Sequence, residues 1–340
     1  MMDAREVQLR QWLPAAIAQA APELGPLPAA EPILSAASAD ASARRYFRWQ
    51  QGDFSLIIMD APPEQEDSRP FVRIAELMTE ASVRVPRIFV SDLQQGFLLL
   101  EDMGQRTFLE QIQAGIYDSW LEQLFSAAID SLVRWQQASR PGVLPPYDSA
   151  VLQRELELFP DWYVARHLQC SFSEVDRADW AELCQLLLAS INAETRVFVH
   201  RDYMARNLMV PASGEPAVLD FQDALYGPAS YDATSLFADA FFSWPEPRRD
   251  AWMHSYWQRA RAAGIELPGD YAVFQRQYRL MGVQRHLKVL GIFARISYRD
   301  GKPRYLDDAP RFLAYLQSAC QAEPELAPLQ RLLARLELTP

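Results

Sequence analysis

A short stretch in the second half of the chain carries the residue types that phosphoryl transfer requires. It reads His200-Arg201-Asp202, places Asn207 five positions after Asp202, and brings a second carboxylate at Asp220. Transfer of a phosphoryl group to a hydroxyl needs one carboxylate to take the hydroxyl proton. It also needs an amide oxygen and a second carboxylate to hold Mg²⁺ against the phosphates. The spacing H-R-D-x-x-x-x-N, followed by an aspartate on a strand, supplies all three groups.

Short apolar segments must position these polar side chains. Residues 197–199 (VFV) precede the loop and residues 208–210 (LMV) follow it, so both ends of the loop are predicted to be strands. After the turn 211–216, the run 217–221 (AVLDF) brings Asp220 to the end of the returning strand. Asp and Asn also favour turns, so the loop alone has a plain alternative, and His200 is predicted to be a packed residue that bonds the backbone. The complete set favours a phosphotransferase.

The segments His200–Asn207 and 219–221 resemble the catalytic and metal-binding loops of the aminoglycoside phosphotransferase and choline kinase group. Residues 38–49, 59–67 and 157–163 extend the resemblance, most closely to the bacterial N-acetylmuramate/N-acetylglucosamine anomeric kinases of cell-wall recycling. The resemblance implies an α+β, protein-kinase-like fold with two lobes. Residues 1–101 would form a nucleotide-binding lobe around a small antiparallel sheet, and residues 102–340 a larger, mainly helical lobe that carries the chemistry.

The same resemblance implies a role for each catalytic residue. Asp202 would orient and deprotonate the acceptor hydroxyl, and Asn207 and Asp220 would hold Mg²⁺. Arg206 would help to neutralise the γ-phosphate of ATP. The adenine would bind at the hinge between the lobes, which includes Glu101 and Met103. The acceptor would be a small sugar, phosphorylated at its anomeric hydroxyl to give the sugar 1-phosphate. Asp232 would brace the catalytic loop or, in the plainer alternative, cap a helix.

The residues that would bind the phosphates of ATP depart most from the usual sequence pattern of kinases. In kinases the strand corresponding to 54–60 normally carries a lysine, but this chain has no lysine before Lys288. A loop of small residues in 33–50 can cover phosphates with backbone N–H groups, and its candidate contacts are Ser38, Asp40, Ser42, Arg44 and Arg45, with Arg48 as a further arginine. Either one of these arginines replaces the lysine or the backbone and Mg²⁺ act alone. An ordinary hairpin with solvated arginines is the structural alternative.

The candidate sugar contacts lie in three places. Pro160 interrupts a predicted helix over 151–168, and aromatic and basic side chains beyond a proline break suit the wall of a sugar pocket. The candidates are Trp162, Tyr163, Arg166, Asp223 and Arg295. The alternative is that Trp162 and Tyr163 fill the core of the helical lobe and that Arg295 is a solvated residue near a helix end.

Composition and net charge indicate which partners and which cellular location to expect. The chain has 340 residues, 49% of them hydrophobic, and a net charge of −11, which argues against a nucleic-acid partner. No apolar run approaches a membrane span of about 18 residues, and the N-terminus lacks the apolar core of a signal peptide. Cys170, Cys184 and Cys320 are expected to be reduced core residues. We therefore expect a cytoplasmic monomer with no membrane partner.

Two alternatives to a sugar kinase stay open. The first is a kinase of the same fold for another small hydroxyl acceptor, such as an aminoglycoside or an amino alcohol. The second is a nucleotide-binding pseudokinase. The absent strand lysine favours the pseudokinase, whereas the intact Asp202, Asn207 and Asp220 argue against it.

Overall fold

A computed structural model describes residues 3–38, 44–115, 118–210 and 214–338. The chain divides into two compact units. The first unit comprises Met1–Arg106 and Met209–Asp223, and the second comprises Thr107–Leu208 and Ala224–Pro340. A five-stranded antiparallel sheet lies in the first unit and most of the helices lie in the second, which confirms the predicted α+β fold.

The first unit is built on a sheet with the strand order β1-β2-β3-β5-β4. Its strands are β1 (Ile33–Ser38), β2 (Arg45–Gln51), β3 (Phe54–Asp60), β4 (Ile88–Asp92) and β5 (Phe97–Glu101). Two helices accompany the sheet, α1 (Ala4–Leu24) and α2 (Arg69–Glu80). Helix α1 includes Pro22 and ends at Leu24, where it is capped by Gly25, whose φ of 71° is readily adopted only by glycine.

Helix α1 covers one face of this sheet. Leu9 and Leu13 of α1 belong to the same buried cluster as Trp49 of β2 and Leu56 of β3. In the antiparallel register Trp49 is opposite Leu56, whereas Arg48 is opposite Ile57. Because side chains alternate between the two faces of a strand, Arg48 lies on the face opposite α1.

The second unit is mainly helical. Its elements are α3 (Phe108–Gln113), α4 (Asp118–Gln137), α5 (Ser149–Leu156), a π-helix (Phe159–His167), α6 (Glu174–Asn192), β6 (Arg196–Val199), β9 (Leu225–Pro228), α7 (Ser230–Phe237), α8 (Glu246–Ala262), α9 (Tyr271–Asp300), α10 (Ala309–Ala322) and α11 (Ala327–Arg335). Strands β6 and β9 pair antiparallel. The remaining strands, β7 (Leu208–Met209) and β8 (Ala217–Val218), form a two-stranded sheet, as the predicted hairpin requires.

Helix α9 packs closely on the break that Pro160 predicts. Helix α5 ends at Leu156, and the chain resumes as a π-helix with Pro160 in its first turn, where a missing N–H costs little. A Cβ on Gly291 of α9 would lie 2.3 Å from the backbone carbon of Leu158. A side chain at position 291 would therefore push the helix away from this break.

Candidate active site

The catalytic loop connects β6 to β7 and ends in a 3₁₀ turn, Ala205–Asn207. The side chain of His200 is fully buried, and its Nδ1 accepts a hydrogen bond from the backbone N–H of Asp202 at 3.2 Å. His200 is therefore a packed residue that bonds the backbone, as the sequence predicted.

The start of the loop is held by a buried carboxylate on α7. Asp232 accepts hydrogen bonds from the backbone N–H groups of His200, at 2.7 Å, and Arg201, at 2.9 Å. Burial raises the pKa of Asp232 to about 7, against the effect of these two donors. Arg201 has a φ of 79°, in the left-handed region that a non-glycine residue adopts only at a cost. The contacts of Asp232 are those of a brace for the loop.

A second buried carboxylate holds the far end of the loop. Asp239 accepts hydrogen bonds from the backbone N–H groups of Ala205, at 2.9 Å, and Phe241, at 2.7 Å. The Tyr203 hydroxyl donates to the carbonyl of Ala128 at 2.8 Å. These contacts hold the start of the 3₁₀ turn and the residues just before it.

Asn207 closes the loop on itself. Its Nδ2 donates to the backbone carbonyl of Asp202 at 2.9 Å, which directs the amide oxygen away from that carbonyl. Asp202 and Arg206 are both half-buried, and the Arg206 guanidinium lies 5.1 Å from the centre of the Phe241 ring. The loop thus brings together a partly accessible carboxylate, an amide and a cation.

Asp220 lies in the first unit and is exposed. Its φ is 63°, and Oδ1 accepts a hydrogen bond from Gln222 Nε2 at 2.9 Å. The neighbouring Phe221 is buried and packs on Phe71 of α2, with 4.7 Å between the ring centres. Packing of Phe221 therefore anchors the segment, while Asp220 and the exposed Asp223 stay accessible to solvent.

A cavity of about 520 Å³ in the first unit includes the predicted hinge. Met103 lines it, together with Arg84, Asp102, Gly104, Gln105, Arg106, Met209, Val210, Glu215 and Ala217. Glu101, at the end of β5, accepts a hydrogen bond from Arg84 Nη1 at 2.8 Å. A cavity of this size beside exposed backbone groups can accommodate a purine base.

The three candidate arginines of the first unit all have ionic partners. Arg44 is buried and pairs with Glu66 at 2.6 Å, and Arg48 pairs with Asp102 at 2.6 Å. Arg45 is opposite Asp60 in the sheet, on the face that α1 covers, and pairs with Asp60 and with Asp3. The register therefore separates Arg45 from Arg48. Asp40 and Ser42 lie outside the described residues, as does the side chain of Ser38.

The candidate sugar contacts in the second unit differ in exposure. Tyr163 is buried and stacks on Phe159 with 5.5 Å between ring centres, as its core alternative predicts. Trp162 is half-buried and Arg166 is exposed. Arg295 is half-buried, and burial followed by the charge of Arg299 lowers its pKa. A direct contact of any of these residues with a sugar stays a prediction.

Sequence reasoning missed Glu155 and Lys288, whose buried side chains form an ion pair of 2.9 Å in the second unit. Glu155 also pairs with Arg201 of the catalytic loop at 2.7 Å. The available signal was a row of polar residues, 284–286 and 288, inside an otherwise apolar stretch of α9. Such residues are rarely buried unless they have partners.

No group of three or more His, Cys, Asp or Glu side chains is arranged to hold a metal ion within the described ranges. Among the described helices, none combines the length and the apolar character that crossing a membrane requires.

Several known proteins are similar to this chain in sequence or in fold. An N-acetylmuramate/N-acetylglucosamine kinase from Pseudomonas aeruginosa is 55% identical over 340 residues, covering 98% of this chain and 97% of the relative. A choline kinase from Streptococcus pneumoniae has a similar fold, with a TM-score of 0.61, 10% identity, and coverage of 92% of this chain and 99% of that structure. An ADP-bound aminoglycoside phosphotransferase gives a TM-score of 0.55 at 12% identity, covering 83% of this chain and 92% of that structure.

The family comparison covers most of the chain. The model of the phosphotransferase enzyme family matches residues 33–273, which include the catalytic loop, Asp220 and the braces Asp232 and Asp239. Because this match spans more than half of the sequence and a curated relative is similar over nearly its full length, the chain belongs to the phosphotransferase enzyme family.

Proposed function

We propose that this protein is a kinase that transfers the γ-phosphoryl group of ATP to the anomeric hydroxyl of N-acetylmuramate and N-acetylglucosamine. The observation that carries this proposal is the 55% identity, over 98% of the chain, to an N-acetylmuramate/N-acetylglucosamine kinase. The product would be the sugar 1-phosphate. The enzyme would act in the cytoplasm, as a monomer, in the recycling of peptidoglycan.

Asp202 would serve as the base. As the acceptor oxygen forms its bond to the γ-phosphorus, the bond from that phosphorus to the bridging oxygen of ADP breaks and the hydroxyl proton passes to the Asp202 carboxylate. An anomeric hydroxyl is more acidic than the other hydroxyls of a sugar, so a single carboxylate is sufficient. The half-buried position of Asp202 leaves it accessible to an acceptor.

Asn207 and Asp220 fit the requirements of Mg²⁺. Because Asn207 Nδ2 donates to the Asp202 carbonyl, its amide oxygen is the atom to offer to a cation. Asp220 offers an exposed carboxylate. Oxygen ligands are those that Mg²⁺ prefers, and bound Mg²⁺ would neutralise charge on the transferring phosphoryl group. Arg206 would add a positive charge beside this position.

The nucleotide would be held by the first unit. The cavity beside Met103 suits the adenine, and hinge backbone groups near Glu101 would bond its edge. With no lysine on β3, we propose that Arg44 or Arg48 contributes to phosphate binding, since both can hold two phosphate oxygens at once. Ser38, Asp40 and Ser42 stay candidates for the same role.

For the sugar, we propose contacts from the accessible candidates in both units. Arg166 and Arg295 carry the positive charge that the carboxylate of N-acetylmuramate requires, and Trp162 offers an aromatic face. Asp223 is exposed and can accept a hydrogen bond from a sugar hydroxyl. Tyr163 would act indirectly, by packing beneath the segment that carries Trp162.

The test is a panel of acceptors with ATP and Mg²⁺, followed by identification of the product. Both N-acetylated sugars should be turned over, and their 1-O-methyl glycosides should be rejected. An anomeric phosphate couples to H1 in the proton spectrum and removes the reducing power of the sugar. A reducing product with phosphorus coupling at H6 would overturn the anomeric assignment, and turnover of only aminoglycosides or amino alcohols would overturn the sugar assignment. Absence of turnover with every acceptor would favour a pseudokinase.

A further inference from the structure

A buried group of charged side chains lies directly behind the catalytic loop, within the second unit. The Glu155 carboxylate on α5 contacts Arg201 Nη2 at 2.7 Å and Lys288 Nζ at 2.9 Å. It also accepts hydrogen bonds from Gln284 Nε2, at 3.2 Å, and from the Tyr147 hydroxyl. Glu155 is 7% exposed and Lys288 8% exposed, so these contacts are formed away from bulk water.

The side chains of Arg201, Lys288 and Glu155 together carry a net positive charge. Arg201 and Lys288 are cations, whereas Glu155 supplies a single negative charge. Burial alone would lower the pKa of Lys288, but the carboxylate of Glu155 raises it, and the charge of Asp202 contributes in the same direction. Buried charges are costly to maintain without partners, and here they lie next to the candidate base.

The backbone geometry gives the group a mechanical role. Arg201 precedes Asp202 directly, and its left-handed φ of 79° sets the direction in which the chain enters residue 202. Its N–H is held by Asp232 and its side chain by Glu155. Strained conformations of this kind persist only where the surroundings enforce them. Lys288 in turn fixes Glu155 and donates to the Tyr231 hydroxyl at 2.8 Å.

We propose that Glu155 and Lys288 are positioning residues for phosphoryl transfer, which hold Arg201, and through it the Asp202 carboxylate, in the orientation that accepts the hydroxyl proton. This inference rests on the proposed kinase function. Neither residue needs to touch ATP or the sugar. Loss of either should therefore lower kcat and leave the KM for ATP unchanged, because a misplaced base weakens the transition state without weakening nucleotide binding.

The experiment compares Lys288→Met with Lys302→Met, the same substitution at the only other lysine of the chain. With N-acetylglucosamine as acceptor, Lys288→Met should lower kcat by about 10- to 100-fold, the range expected when a catalytic group is displaced by about 1 Å. The KM for ATP and the affinity for ADP-Mg²⁺, measured by calorimetry, should stay at the wild-type values. Lys302→Met should match the wild type in every measurement.

A second variant tests the chain of contacts. Glu155→Gln keeps the shape of the side chain and removes its charge, and it should also lower kcat selectively. If Lys288 acts through Glu155, the double variant should lose less than the product of the two single effects, since residues in one network are not additive. Tyr231→Phe removes only the hydroxyl that Lys288 contacts and should give a smaller fall in kcat.

Several outcomes would overturn the proposal. One is a folded Lys288→Met variant whose kcat equals that of the wild type. Another is a Lys288→Met variant whose KM for ATP rises by the same factor as its kcat falls. Failure of Lys288→Met and Glu155→Gln to fold, together with a wild-type kcat for Tyr231→Phe, would assign the group to stability alone. Failure of the wild-type enzyme to phosphorylate any sugar would instead contradict the proposed function, so the two failures are distinguishable.

Discussion

The loop 200–207 and the segment 219–223 each carry a candidate catalytic carboxylate, but they are held in different ways. In the loop, the buried carboxylates of Asp232 and Asp239 accept hydrogen bonds from backbone N–H groups, and Asp202 is half-buried. In the segment, Phe221 packs on Phe71 and Asp220 is exposed. A base must meet one hydroxyl at a defined distance and angle, whereas a metal ligand must mainly be accessible and charged. The hydrogen-bonded loop therefore suits a base, and the exposed segment suits a metal ligand.

Both regions nevertheless use the same backbone feature. Arg201 and Asp220 have φ values of 79° and 63°, which non-glycine residues seldom adopt. In the loop, hydrogen bonds to Asp232 stabilise this conformation. In the segment, an aspartate is itself one of the residues that tolerate it. We therefore expect substitutions in the loop and in the segment to affect stability differently.

The largest effect is expected at Asp202. Asp202→Asn should lower kcat by about 10²–10⁴-fold, the usual contribution of a positioned base. The melting temperature and the affinity for ADP-Mg²⁺ should stay close to the wild-type values, because the backbone contacts of the loop do not involve this carboxylate. Steady-state kinetics, calorimetry and thermal melting measure the three quantities. Wild-type turnover by Asp202→Asn would remove the base from the mechanism.

Substitution of the two proposed metal ligands, Asn207 and Asp220, should sharpen the contrast between the loop and the segment. Asn207→Ala and Asp220→Asn should each raise the half-saturating Mg²⁺ concentration by about 10-fold or more, since even indirect partners of a metal contribute that much. Asn207→Ala should also lower the free energy of unfolding by about 1 kcal/mol, because it removes the hydrogen bond to the Asp202 carbonyl. Asp220→Asn should leave stability unchanged. Magnesium titrations that match the wild type for both variants would refute the assignment.

A buried carboxyl group, Glu194, should make the second unit sensitive to pH, because burial outweighs the opposite effect of the Arg196 charge on its pKa. Burial raises the pKa of Glu194 to about 7, and only Oε2 is bonded, by the Ser230 N–H at 3.2 Å. A raised pKa in the folded state contributes stability that is complete below the unfolded pKa and is lost as pH rises through about 7. Glu194→Gln does not titrate, so its stability relative to the wild type should increase by roughly 3 kcal/mol between pH 4 and pH 8.

Asp60 of the first unit supplies a control for this experiment, because its substitution should change stability in the opposite direction. Asp60 is also fully buried, but it pairs with Arg5 at 2.8 Å and with Arg45. Asp60→Asn should therefore destabilise the protein, because two cations lose their carboxylate. Denaturant unfolding across the pH range measures both variants. A constant stability difference for Glu194→Gln at all pH values would contradict the raised pKa.

The smallest effect is expected for the arginines of the first unit. Arg44→Gln or Arg48→Gln should raise the KM for ATP by about 10-fold, because a hydrogen bond to a charged group contributes about 1.5 kcal/mol or more. Arg45→Gln should leave that KM unchanged, since Arg45 lies on the face covered by α1. The largest KM increase in Arg45→Gln would contradict the assignment by sheet face. Wild-type KM values for all three would leave phosphate binding to the backbone and Mg²⁺.

Much of the fold was accessible from local patterns. The strand over 54–60 and the two strands on either side of the turn 211–216 follow from apolar runs and turn residues, and the structure has strands at these places. The ends of helices were less accessible. Helix α5 ends at Leu156, before Pro160, where α9 approaches the chain.

The sequence by itself determined the spacing of Asp202 and Asn207, because a loop between two strands keeps its polar residues together whatever surrounds it, and it placed Asp220 just after the returning strand. Tertiary structure decided which buried charges meet. Glu155 and Lys288 are distant in sequence, and their ion pair exists only because α5 and α9 pack together. Tertiary structure also decided which face of the sheet α1 covers, and therefore that Arg45 and not Arg48 lies on the covered face. Periodicity reports which residues share a face of one element, but an ion pair in the interior depends on what packs against that face.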